Sequence, residues 1–148
     1  MKNPDWTIDA MEQINHILLS MDKKEVKKYK VKTLVRIIQH VHQFALADCK
    51  DCESFIDNIN DLIHFLEQKS ELDRKQYEST FRLIVKHLVK KHRLIEEGTY
   101  MSQGAVIGIL IGLALQSIYQ YAIGLGFMFG VIIGANLDEK AKKNGRVI

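Results

Sequence analysis

Four residues carry types and spacings that can do chemistry: Cys49, Cys52, His87 and His92. The only two cysteines stand as C-x-x-C in DCKDCESF, and the two histidines as H-x-x-x-x-H. In a cytoplasmic chain a C-x-x-C pair is more often a metal or redox pair than a structural disulfide. The redox case usually goes with a βαβ pattern, whereas this region reads as helical. Thiolates and imidazoles are zinc ligands, and four of them close a structural site with no open position for a substrate. The plainer alternative is two ordinary reduced cysteines and two exposed histidines.

Position along the chain argues for the metal. A helical hairpin that turns near Ser70 puts residues equally far before and after the turn side by side. Cys49 and Cys52 lie 21 and 18 residues before Ser70; His87 and His92 lie 17 and 22 after it. Both pairs therefore fall at the same end of the hairpin. Cys52 extends the apolar stripe Ile56–Ile59 by one turn, and His92 and His87 follow Leu88 and Ile84 at helical spacing. The weak point is that five residues span about 140° of a straight helix, so one histidine needs a distortion or a helix end. His42 is the substitute ligand. His16, His40 and His64 read as helix-flank residues.

The elements that must position these ligands are helices, because apolar residues from Asn3 to Glu97 recur at three and four, not two. Asn3 caps a first helix with Pro4 at its first position. Its inward stripe is Ile8, Met11, Ile14 or Ile17, and Leu18. A second helix is expected over about Lys24–Ala47, with Leu34, Ile38, Val41 and Ala45 inward. A third runs over about Asp51–Gln68, burying Phe55, Ile56, Ile59, Leu62, Ile63 and Leu66. Ser70-Glu71-Leu72-Asp73 has the form of a capping box for a fourth, whose stripe is Tyr77, Phe81, Ile84, Val85 and Leu88. Short connections favour antiparallel neighbours, so residues 1–97 are expected to form an all-α antiparallel bundle of about four helices.

The rest of the chain is a different material. Residues 1–97 hold no glycine, and all nine glycines fall in residues 98–148. Tyr100 to Leu137 is 38 residues without a charge. That is too long for one bilayer span of about 20 residues and fits two short spans joined by a turn. The expected spans are about 101–117 and 120–137, with Gln116, Ser117, Tyr119, Gln120 and Tyr121 at the far interface, where aromatic rings collect. Lysine and arginine flank both outer ends of this transmembrane hairpin and none lies in the turn. Both termini are therefore expected on the cytoplasmic side, with residues 138–148 a basic cytoplasmic tail. The N-terminus shows no cleavable signal pattern, so the first domain is also expected in the cytoplasm. Gly104, Gly108 and Gly112 form one small-residue ridge, and Gly126, Gly130 and Gly134 another. In lipid, such ridges permit close backbone contact. They pack the spans on each other or bring subunits together as a homo-oligomer.

The stretches KKHRLIEEGTYMSQGAVIGILIGLALQSI and IGLGFMFGVIIGANLDEKAKKNGRVI, taken with Cys49, Cys52, His87 and His92, resemble a group of uncharacterised bacterial two-span membrane proteins with glycine-zipper hairpins. The resemblance covers roughly residues 49–148. It implies an integral protein of the inner (plasma) membrane and no reaction. The turn QSIYQ departs from the Asp-Asn turn expected there.

Composition narrows the function classes. A net charge of +3, with no basic stripe interleaved with aromatics, argues against a nucleic-acid partner. Lys23, Lys24, Lys27, Lys28, Lys30 and Lys32 form a solvated helix face or a patch for anionic lipid headgroups. No nucleophile–base set, phosphate loop or paired carboxylates points to an enzyme. The expectation is a non-enzymatic membrane module that oligomerises through its glycines, with a zinc-stapled cytoplasmic domain that offers itself to a protein partner. Two alternatives stand beside it: a pore-forming or membrane-permeabilising effector, and a metal or redox sensor.

Overall fold

The computed structural model describes residues 6–68 and 74–148, which form seven α-helices and no strand. These are α1 (Trp6–Ser20), α2 (Lys23–Lys28), α3 (Val31–Leu46), α4 (Lys50–Gln68), α5 (Arg74–His92), α6 (Thr99–Leu115) and α7 (Ala122–Lys143). The chain divides into two compact units, Met1–His92 and Arg93–Ile148. The expected caps at Asn3 and Ser70 lie outside the described residues.

In the first unit α4 packs against α1, α3 and α5. Its buried residues are Cys52, Phe55, Ile56, Ile59, Leu62, Ile63 and Leu66, a continuous stripe at helical spacing. On α5, Tyr77, Phe81, Ile84, Val85 and Leu88 are buried, as their spacing predicts. The two helices are antiparallel: Phe65 meets Tyr77 at one end, and Cys52 meets His87 and His92 at the other.

Two expectations need correction. The stripe of α1 is Ala10, Ile14 and Ile17, while Ile8 is 65% exposed and Met11 and Leu18 are half-buried. Ile8 stands about 160° around the helix from Ala10, so it points away from the others. The single helix expected over Lys24–Ala47 is two. A reciprocal capping box opens α2: Glu25 N–H donates to Asp22 Oδ1 at 2.6 Å, and Asp22 N–H to Glu25 Oε2 at 3.2 Å. Lys30 then takes a left-handed conformation at φ 50°, and α3 restarts beyond it. The break has a tertiary cause. Thr33 and Leu34 N–H both bond to the Lys30 carbonyl, which leaves the Tyr29 carbonyl to accept the Tyr77 hydroxyl at 2.7 Å. The Tyr29 ring also lies edge-on to Phe65 and Tyr77. Beyond the break Val31, Leu34, Ile37, Ile38 and Val41 are buried, and Ala45 is half-buried.

The second unit is a hairpin of α6 and α7. A methyl group built on Gly104 would strike the Gly130 carbonyl, and one on Gly108 the Gly126 carbonyl. Gly112 faces Ala122 and Ile123, and Gly134 faces Tyr100 and Met101. The two ridges thus meet each other within one chain. The helix ends differ from the expected spans: α6 stops at Leu115, α7 starts at Ala122, and α7 continues through the charged residues to Lys143. Residues 146–148 then pair with residues 95–97: Arg146 and Ile95 carbonyls accept from Ile95 and Ile148 N–H, and the Ile148 carbonyl from Glu97 N–H. Among the described residues, α7 is the one helix long and apolar enough to cross a membrane; α6, also apolar, has 17 residues.

The start of α6 has an unusual cap. Gly98 stands at φ 79° and gives no side-chain bond. Instead Asp138, from α7, accepts the Tyr100 N–H at 3.1 Å and the Met101 N–H at 2.8 Å. Two orphan donors of the first turn are satisfied by a carboxylate at the positive end of the helix dipole.

Candidate metal centre

The joint between α3 and α4 sets the first ligand. Asp48 is left-handed at φ 62°, and the Cys49 N–H reaches back to the Phe44 carbonyl at 3.0 Å. This six-to-one bond is the mark of a Schellman turn. It reverses the chain within a few residues and leaves Cys49 as the residue that opens α4, its own carbonyl accepting from Glu53 N–H. Cys52 follows one turn into α4 and is fully buried. At the same end of the bundle, α5 closes at His92, and the following Arg93 is left-handed at φ 54°. The helix end supplies the freedom that H-x-x-x-x-H requires.

Cys49, Cys52, His87 and His92 come together, with one ligand atom of each lying within 4.8 Å of the others. His87 Nε2 is 3.5 Å from Cys49 Sγ and 3.6 Å from Cys52 Sγ, and His92 Nε2 is 3.4 Å from Cys52 Sγ. A tetrahedral ion with zinc–sulfur bonds of about 2.3 Å and zinc–nitrogen bonds of about 2.0–2.1 Å separates a sulfur from a nitrogen by about 3.6 Å. The observed edges match that figure, so these four residues can bind a metal ion. His42, the substitute ligand, is elsewhere: its ring packs edge-on against Trp6 at 6.1 Å. His40 stacks on Phe44, and His64 lies on the surface beside Gln68 and Glu67.

Two residues support the cluster that spacing alone did not single out. Phe44 stacks on the His92 ring at 3.7 Å with an interplanar angle of 14°. Asp51 Oδ2 lies 3.6 Å from His87 Nδ1, on the far side of the ring from the sulfurs. Asp51 stands between the cysteines in DCKDCESF, which is the one available signal, while Phe44 meets His92 through the packing of α3 on α5.

Electrostatics follow burial. Burial pushes the Cys52 thiol up to about 12, with the neighbouring Cys49 thiol and Asp51 charge adding to it. Burial also holds His92 below its ordinary value, and His87 lowers it further. The cluster without an ion thus favours a neutral thiol at Cys52 and a neutral imidazole at His92. A divalent cation reverses the first preference by stabilising the thiolate, and binding then releases protons. No family model, curated protein or solved structure matches the chain.

Proposed function

We propose that the chain is a membrane-anchored helical module without catalytic activity, whose bundle is stapled by one structural zinc ion. Two thiolates and two imidazoles suit zinc and disfavour magnesium or calcium, which prefer oxygen. Four protein ligands leave no position for substrate, so the ion serves the fold. It ties the start of α4 to the end of α5 in a bundle of modest size, where a core alone supplies little margin.

The observation that carries the anchor is the surface of the hairpin. The glycines of its two ridges face inward and many of its large side chains face out: Leu110 is 60% exposed, Phe129 61% and Ile133 59%. A continuous apolar surface of this kind is a liability in water and ordinary in lipid. At about 1.5 Å per residue α6 is about 25 Å long, slightly under a hydrocarbon core of about 27–30 Å. Tyr119 and Tyr121 in the turn suit the far interface, and modest thinning accommodates the rest. Arg93, Lys140, Lys142, Lys143 and Arg146 lie at the outer ends of the hairpin and none lies in its turn, which supports a cytoplasmic side for both ends at the plasma membrane. Because the glycine ridges contact each other within the chain, a homo-oligomer would have to form through the outward faces.

Alkaline carbonate washing of membranes from cells making the full chain tests the anchor. The protein is expected to remain in the membrane pellet. Release into the wash would sink the proposal.

A further inference from the structure

The His87 ring is held on every side that bears on metal binding. Its Nε2 faces both sulfurs, Phe55 lies edge-on to the ring at 5.1 Å, and Asp51 faces Nδ1 at 3.6 Å. The ring is nearly buried, with 11% of its side chain exposed, while the Asp51 side chain is 66% exposed. Asp51 and Phe55 are one turn apart on α4, so the helix that supplies Cys52 also supplies both supports of His87.

We propose that Asp51 is a positioning residue for the metal centre: its carboxylate fixes the proton of His87 on Nδ1 and so keeps Nε2 as the ligand atom. This rests on the zinc reading above and deepens it. A metal-bound imidazole usually gives its other N–H to a carboxylate, a carbonyl or a water, and that partner raises the basicity of the ligating nitrogen. At 3.6 Å the Asp51 oxygen is beyond direct hydrogen-bond length, so it acts on the ring by its charge. His92 is oriented by different means, its ring lying flat on Phe44. The two histidines are therefore unequal: removal of one carboxylate weakens His87 alone.

The test uses the full chain in detergent and zinc as the probe. Affinity is measured by competition with a chromophoric chelator in wild type, Asp51→Asn, Asp51→Glu and Asp61→Asn, the last a charge-matched change further along α4. Wild type is expected to bind one zinc. Asp51→Asn is expected to bind one zinc about 10- to 100-fold more weakly and to release it faster to chelator. The metal-free melting temperature should fall only by the small effect of losing one first-turn charge on α4, Asp51→Glu should recover part of the affinity, and Asp61→Asn should match wild type in affinity. Equal affinities for Asp51→Asn and wild type, or equal losses for Asp51→Asn and Asp61→Asn, would overturn the role of Asp51 while leaving the zinc site standing. A wild-type chain that binds no zinc would overturn both.

Discussion

The hairpin makes a prediction in which one chemical change has opposite signs at two positions. Gly108→Ala adds a methyl that would stand 2.8 Å from the Gly126 carbonyl carbon and 3.2 Å from the Gly130 Cα, where ordinary contact begins at 3.4 Å. The Gly126 carbonyl oxygen is closer still, and the obstruction is backbone, which cannot rotate aside as a side chain can. The helices must separate. Overpacking of this kind costs about 1–3 kcal/mol. At Gly124 nothing lies within 4 Å of the added methyl. Gly124→Ala should instead gain about 0.5–1 kcal/mol, because alanine loses less backbone entropy in a helix. Amide hydrogen exchange by mass spectrometry, on the full chain in detergent, reads this locally. Peptides from α6 and α7 should exchange roughly 5- to 150-fold faster in Gly108→Ala and somewhat slower in Gly124→Ala. Peptides from α4 should be unchanged in both. Equal behaviour of the two variants would refute the argument that the ridges meet within one chain.

Other changes test the remaining contacts. Asp138→Ala strips the Tyr100 and Met101 N–H groups of their acceptor and should cost about 0.5–2 kcal/mol, seen as faster exchange of those amides. Burial, with Tyr29 adding to it, raises the Tyr77 phenol well above its ordinary value of 10.0. The folded state therefore keeps a proton that the unfolded state loses: the stabilisation is complete below pH 10 and declines as pH rises above it. Tyr77→Phe should cost about 1 kcal/mol at neutral pH through the lost bond to Tyr29 and should flatten that alkaline decline; an unchanged alkaline limb in thermal melts would contradict the assignment. Ile59→Ala, at a fully buried site, should cost about 2–5 kcal/mol, whereas Ile8→Ala, on the exposed side of α1, should stay within about 0.5 kcal/mol in denaturant titrations.

Helices α4 and α5 were legible because their apolar residues repeat at three and four without interruption, and each expected inward residue is buried. The break at Lys30 was not. Lysine and glutamate are good helix formers, and the left-handed turn there is decided by a tertiary partner, Tyr77, 48 residues from the carbonyl it binds. Ile8, Met11 and Leu18 also share a face at helical spacing, but the face of α1 that packs is that of Ala10, Ile14 and Ile17, and alanine is a weak apolar signal. The ligand cluster was legible from two spacings and one symmetry, since Cys49, Cys52, His87 and His92 are placed by distance from a common turn. The supports of the cluster were less so. Phe44 reaches His92 across the contact of α3 with α5, and Asp51 reaches His87 only in the register that the hairpin adopts. Asp138 illustrates the same limit: a charge just past an apolar helix reads as tail, and the α6–α7 register turns it into a cap.

The most direct measurement is metal content. The full chain, purified in detergent without added metal and without chelators, should carry one zinc per chain by native mass spectrometry. The Cys49→Ser, Cys52→Ser double variant should carry none and should melt at a lower temperature, while His42→Ala should keep its zinc. A metal-free wild-type chain that neither takes up added zinc nor melts higher in its presence would contradict the account.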